Sequence, residues 1–128
     1  MARGRARILF VDDEPTLLEI GSELLKRLGY RVTTRGDGHA ALETFKARSD
    51  EFDLVITDMT MPGLTGDKLA RELLQIRADL PVILCTGFGN AVMGRNAGQT
   101  GVKAYLMKPF VLRDLAKTIR QVLREGPS

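Results

Sequence analysis

The 128-residue chain is 44% hydrophobic and 27% charged, with a mean hydropathy of -0.07, the make-up of one ordinary globular domain close to the modal size. Its single cysteine (Cys85) and single histidine (His39) exclude an internal disulfide and the multi-cysteine and multi-histidine zinc sites, and no apolar run reaches the roughly 18 residues that a membrane span requires. The net charge of +3 is unevenly spread: residues 1–64 carry 9 basic and 11 acidic side chains, and residues 65–128 carry 10 and 5.

Short apolar runs alternate with helix-period stretches along the chain. Arg7 to Asp12 reads as a buried strand that ends in acid. The basic start, Met1 to Arg7, is not followed by a signal-peptide core, because Asp12, Asp13 and Glu14 end the apolar run of residues 8–11. The cytoplasm is therefore the expected compartment. Glu14 to Leu28 reads as a helix with Pro15 in its first turn, leucines 17, 18, 24, 25 and 28 on one face, and Gly29 as its stop. Tyr30 to Arg35 alternates polar and apolar, as an edge strand does. Asp37 is placed to cap a second helix, with Ala41, Leu42 and Phe45 facing inward.

Phe52 to Asp58 is the third strand, and Pro62, Gly63 and Gly66 form the loop after it. Asp67 to Arg77 is a third helix, Leu80 to Thr86 the fourth strand and Val102 to Met107 the fifth. Phe110 to Glu125 is the last helix, with Leu112, Leu115, Ile119, Val122 and Leu123 at helical spacing. The crossover over residues 89–101 is predicted to be a short or frayed fourth helix, since Gly94 and Gly98 each cost about 1 kcal/mol against alanine in a helix interior. Five strands alternating with helices predict one α/β domain over residues 1–128. Its core runs from about residue 6 to residue 125, around a parallel sheet with helices on both faces. Residues 1–5 and 125–128 read as loose ends.

In an open parallel sheet, functional groups gather at the carboxyl ends of the strands. Here those ends carry Asp12 and Asp13, Asp58, Thr86, and Lys108 before Pro109. Each has a bland reading taken singly, as a cap, a turn residue or a solvated side chain. Jointly, three carboxylates at one rim repel each other unless a cation compensates, and a hard divalent ion such as magnesium suits oxygen ligands at an open site. Metal, lysine and hydroxyl together suit phosphoryl oxygens. No Walker-type loop is present, which leaves an aspartate nucleophile that takes a phosphoryl group covalently.

The pattern Asp12-Asp13, Asp58, Thr86 and Lys108-Pro109 resembles the receiver domain of two-component response regulators. The strings Ile8 to Glu14, Leu54 to Gly63 and Leu106 to Phe110 carry the resemblance, which covers about residues 6–125. It implies a flavodoxin-like, doubly wound (βα)5 fold. It implies Asp58 as phosphoacceptor from a phosphohistidine of a histidine kinase or histidine phosphotransfer domain. Mg2+ would be held by Asp13 and Asp58, by Asp12 through water, and by the carbonyl of Thr60. Lys108 would pair with a carboxylate at rest and with the phosphate after transfer. Thr86 would donate its hydroxyl to the phosphoryl group and move toward it, Tyr105 would turn inward in response, and Lys108–Pro109 would be a cis peptide. The output would be a signalling face built from the fourth helix, fifth strand and last helix, which meets a downstream partner, with homodimerisation on phosphorylation. Such a domain promotes only its own phosphorylation and dephosphorylation. Leu84 to Gly89 and Val111 to Leu115 are further similar to receivers at the C-terminus of hybrid sensor kinases.

Two other functions fit parts of the pattern. A magnesium-dependent aspartyl-nucleophile phosphatase would need a second aspartate two residues past Asp58, where Thr60 stands. A non-phosphorylated interaction module would not need the complete constellation. A dinucleotide-like string, Gly36 to Ala41, follows a polar edge-type strand and has no paired second half. The basic second half is spread over several predicted helices with few aromatics to stack bases, which favours a solvated face that meets an acidic partner over direct nucleic-acid binding. Cys85 reads as a buried core residue, His39 as a surface helix residue, and Arg3, Arg5 and Arg7 as a solvated arm.

Overall fold

The computed structural model describes residues 6–87, 102–107 and 111–124. The expected crossover helix, Lys108, the Lys108–Pro109 peptide and both loose ends lie outside the described residues. The elements are β1 (Arg7–Val11), α1 (Pro15–Arg27), β2 (Arg31–Arg35), α2 (Gly38–Ala47), a short 3-10 turn (Ser49–Glu51), β3 (Leu54–Asp58), α3 (Gly66–Ile76), β4 (Val82–Thr86), β5 (Ala104–Met107) and a last helix (Leu112–Arg124). The five strands form one sheet in the order β2-β1-β3-β4-β5, all parallel, which is the doubly wound, flavodoxin-like arrangement.

Strand alternation divides the core into two layers. Ile8 and Phe10 of β1, Leu54 and Ile56 of β3, and Ile83 and Cys85 of β4 face α1 and the last helix, which return Leu25, Leu115, Ile119 and Val122. Leu9 and Val11, Val55 and Val82 face the other way, against Ala41 and Phe45 of α2 and Leu69, Ala70 and Leu73 of α3. Both faces are covered, so β1, β3 and β4 read as continuous apolar runs. β2 is the edge strand that its polar alternation predicts. Arg35 blunts that edge, because its guanidinium donates to the Thr34 carbonyl at 2.6 Å and to the Thr44 hydroxyl at 2.7 Å.

Local signals act where they stand. Pro15 opens α1, Gly29 ends it in the left-handed region at φ 97°, and the Asp37 carboxylate caps α2 by accepting from the Ala40 N–H at 2.7 Å. Some boundaries move inward for physical reasons. β4 starts at Val82 because Pro81 has no N–H to give a ladder, though its carbonyl still accepts from Val55. β3 starts at Leu54: the Phe52 carbonyl accepts from the Arg77 guanidinium at 2.6 Å, while the Phe52 ring stacks on Phe45 with centroids 6.1 Å apart. Arg7 is no part of a solvated arm. It begins β1, and both its backbone N–H and its guanidinium reach the Asp53 carboxylate, at 2.8 and 3.3 Å.

Candidate functional site

β1 and β3 are neighbours, and their register pairs Val11 with Thr57. The next residue on each strand is an aspartate, so Asp12 and Asp58 leave the sheet side by side, at the switch point where the strand order reverses. Both are buried, at 2% and 6% exposure, whereas Asp13 is exposed. One carboxylate oxygen from each of Asp12, Asp13 and Asp58 lies within 4.8 Å of the other two. Among the described residues this is the one group of three or more such side chains able to hold a metal.

Each aspartate is placed by its own local chemistry. Asp12 Oδ1 accepts from the Glu14 N–H at 2.9 Å, which folds the chain from β1 into the Pro15 turn of α1. That turn carries Asp13 outward to the solvent. The bland reading of Asp12 as a turn residue is therefore correct, and it coexists with membership of the cluster. At the end of β3 the main chain is fixed from several sides. The Met59 N–H donates to the Cys85 carbonyl at 2.7 Å, the Thr57 hydroxyl donates to the Asp58 carbonyl at 3.1 Å, and the Gly66 N–H donates to the Met59 carbonyl at 2.8 Å. Between them the loop turns at Pro62 and Gly63, with Gly63 at φ 79°, while Met61 drops into the α2–α3 core.

β4 pairs Cys85 with Asp58, so Thr86 stands one step beyond the phosphoacceptor candidate, at 1% exposure. Tyr105, half-buried on β5, is in register with Leu84 and points to the face opposite Leu106. Thr60 is exposed in the loop two residues past Asp58. The structure thus brings Asp12, Asp13 and Asp58 together at one rim, with Thr86 at the end of the adjoining strand. Cys85 is buried as the sequence implies, and His39 lies exposed on α2.

Two carboxylates taken out of water beside a third are unfavourable without a positive partner. The donor set is oxygen only and one member faces solvent, which fits a hard divalent cation such as magnesium and not a zinc site. Gly66, which the sequence assigns only to the loop, is the first residue of α3. Its signal is a glycine at a helix start where a capping or acidic residue is usual, yet a Cβ there would stand 2.0 Å from the Asp58 carbonyl oxygen. The groove of about 300 Å³ between α1 and β2, lined by Leu18, Ser22 and Thr34 among others, is a separate feature.

Comparison with known proteins agrees with this geometry. The family profile of the response regulator receiver domain matches residues 8–120. The two-component response regulator ORR24 of Oryza sativa is 41% identical over 118 residues, which is 92% of this chain but 19% of that protein's length. The crystal structure of a response regulator receiver domain protein from Clostridium thermocellum superposes with a TM-score of 0.87 at 35% identity, covering 93% of this chain and 94% of that one. That of the response regulator TrrA from Thermotoga maritima, in complex with Mg(2+)-BeF, does so with a TM-score of 0.82 at 32% identity, covering 91% and 98%.

Proposed function

The chain belongs to the response regulator receiver domain family, and from that premise we propose that Asp58 accepts a phosphoryl group from the phosphohistidine of a histidine kinase or histidine phosphotransfer domain. A carboxylate oxygen of Asp58 attacks phosphorus in line. The new P–O bond gives an acyl phosphate as the P–N bond breaks, and the departing imidazole nitrogen takes up a proton. Asp12, Asp13 and Asp58, with the Thr60 carbonyl, are the residues that would hold Mg2+. When bound, the ion neutralises charge on the phosphoryl oxygens and orients the group. The observation that carries this reading is the meeting of three carboxylates, two of them buried, within 4.8 Å at the ends of adjacent parallel strands.

In this reading Thr86 donates its hydroxyl to the incoming phosphoryl oxygens, and Lys108 supplies a cation to them. Phosphorylation adds about -1.5 to -2 charges, which these groups absorb locally. Thr86 and Tyr105 pass the change to the face of the fourth crossover, β5 and the last helix, where a downstream partner or a second copy binds. Thr60 in place of a second aspartate disfavours continuous phosphatase turnover. One sheet covered on both faces supports a single receiver domain with its core over about residues 6–125, and the acids that end the apolar run of residues 8–11 favour the cytoplasm. No helix among the described residues is long and apolar enough to cross a membrane.

The test is intact-mass analysis after incubation with acetyl phosphate and Mg2+. The protein gains the mass of one phosphoryl group, and Asp58→Ala gains none. Equal gain in the variant would refute the assignment.

A further inference from the structure

We propose that Gly66 is a positioning residue for phosphoryl transfer: its lack of a Cβ lets the start of α3 seat directly on the Asp58 main chain and so sets where the Asp58 carboxylate points. The inference rests on reading Asp58 as the phosphoacceptor. A Cβ at Gly66 would meet the Asp58 carbonyl oxygen at 2.0 Å, the Asp58 carbonyl carbon at 2.8 Å and the Met59 Cα at 2.8 Å. All three are backbone atoms, so no side chain can swing aside. To reach even 3.0 Å from the oxygen, the shortest separation real Cβ atoms adopt, the helix start and the strand end would have to part by about 1 Å.

The contact lies at the reacting residue itself. Asp58 is the last residue of β3, and the Met59 N–H is already tied to β4 through the Cys85 carbonyl at 2.7 Å. The Thr57 hydroxyl takes one side of the Asp58 carbonyl, at 3.1 Å, and Gly66 occupies another. The Gly66 N–H closes the loop onto the Met59 carbonyl at 2.8 Å. Loop and helix therefore press on the one peptide unit from which the carboxylate projects. If they part there, Asp58 rotates relative to Asp12 and Asp13, which are held on a different strand. Gly21 supplies the contrast. A Cβ there would also collide, at 2.4 Å, but with the ring of Phe10, which faces the layer of α1 and the last helix.

The experiment compares the 128-residue protein with Gly66→Ala and Gly21→Ala. Urea unfolding gives the folded fraction, calorimetric titration gives the Mg2+ affinity without phosphodonor, and intact mass gives the rate of phosphorylation by acetyl phosphate per folded molecule. All are run with and without trimethylamine N-oxide, which favours the compact state. Both variants should lose stability. Only Gly66→Ala should lose chemistry when folded, with a phosphorylation rate lower by about 10- to 100-fold, as a misplacement of about 1 Å implies, and a weaker Mg2+ affinity. Gly21→Ala should match the parent on both readouts once folded. A folded Gly66→Ala that binds Mg2+ and takes phosphate like the parent overturns the proposal. So does one that stays unfolded in the osmolyte, which would assign the glycine to folding alone. If the parent itself takes no phosphoryl group, the reading of Asp58 fails and the role in transfer with it, while the Mg2+ titration still decides whether Gly66 sets the Asp58 carboxylate within the acidic cluster.

Discussion

Removing one charge from the acidic cluster should stabilise the protein without magnesium and deprive it of magnesium's help. Asp13 is the member to change, because it is exposed and its neutral isostere needs no new packing. Two unit charges 4.8 Å apart repel by about 0.9 kcal/mol in water and about 3.5 kcal/mol at an effective dielectric of 20. Exposure puts Asp13 near the lower figure, and it faces two neighbours, so Asp13→Asn relieves about 2 kcal/mol. For a domain of this size that raises the melting midpoint by about 8 °C. Magnesium should act in the opposite sense on the parent protein if the proposed site holds it. At a concentration 100 times its dissociation constant it adds about 2.7 kcal/mol, or about 11 °C. Even a loss of affinity of about 100-fold in the variant, a size seen for residues that merely support a metal ligand, cuts that gain to about 0.4 kcal/mol. Calorimetric melting of both proteins, with EDTA and with a magnesium series, checks the pair of signs. A variant that melts lower than the parent in EDTA, or that rises as much with magnesium, would refute the view of these carboxylates as a cation site.

Three further outcomes follow from the same structure. Thr86→Ala, at a site 1% exposed, should lose about 1 kcal/mol and still accept phosphate. It should no longer move Tyr105, so ring resonances of Tyr105 that shift on phosphorylation as they do in the parent would disprove the coupling. Arg77 Nη1 donates to the carbonyls of Ser49 and Phe52 at 2.8 and 2.6 Å, tying the end of α3 to the entry of β3. Arg77→Ala should lower urea stability by about 2 kcal/mol and leave Mg2+ affinity unchanged. Ile119 of the last helix is fully buried against β1, β3 and β4, so Ile119→Ala should cost about 2–5 kcal/mol in urea unfolding, and a loss under about 1 kcal/mol would contradict that packing.

Much of the fold is legible in the sequence because its signals are local. The apolar runs ending at Val11, Asp58 and Thr86, the Pro15 and Asp37 helix starts and the Gly29 stop each act within a turn of where they stand. A boundary moves where a neighbour in space intervenes: the Arg77 guanidinium takes the Phe52 carbonyl just ahead of β3. The short 3-10 turn at Ser49–Glu51 has no signature that a loop lacks, since one turn of helix needs no amphipathic period.

The sequence by itself determined that acidic residues end the apolar strands, because a carboxylate there is visible as a break in hydropathy. It also determined the parallel α/β class, because that class follows from the alternation of periods. Only the tertiary structure decided how closely Asp12, Asp13 and Asp58 approach at that rim, that two of the three acids are buried while Asp13 stays wet, and that Gly66 must be bare. Those facts depend on the pairing of β1 with β3 in one register and on the approach of α3 to a strand end. They are properties of separations in space, and a chain read in order carries no measure of them.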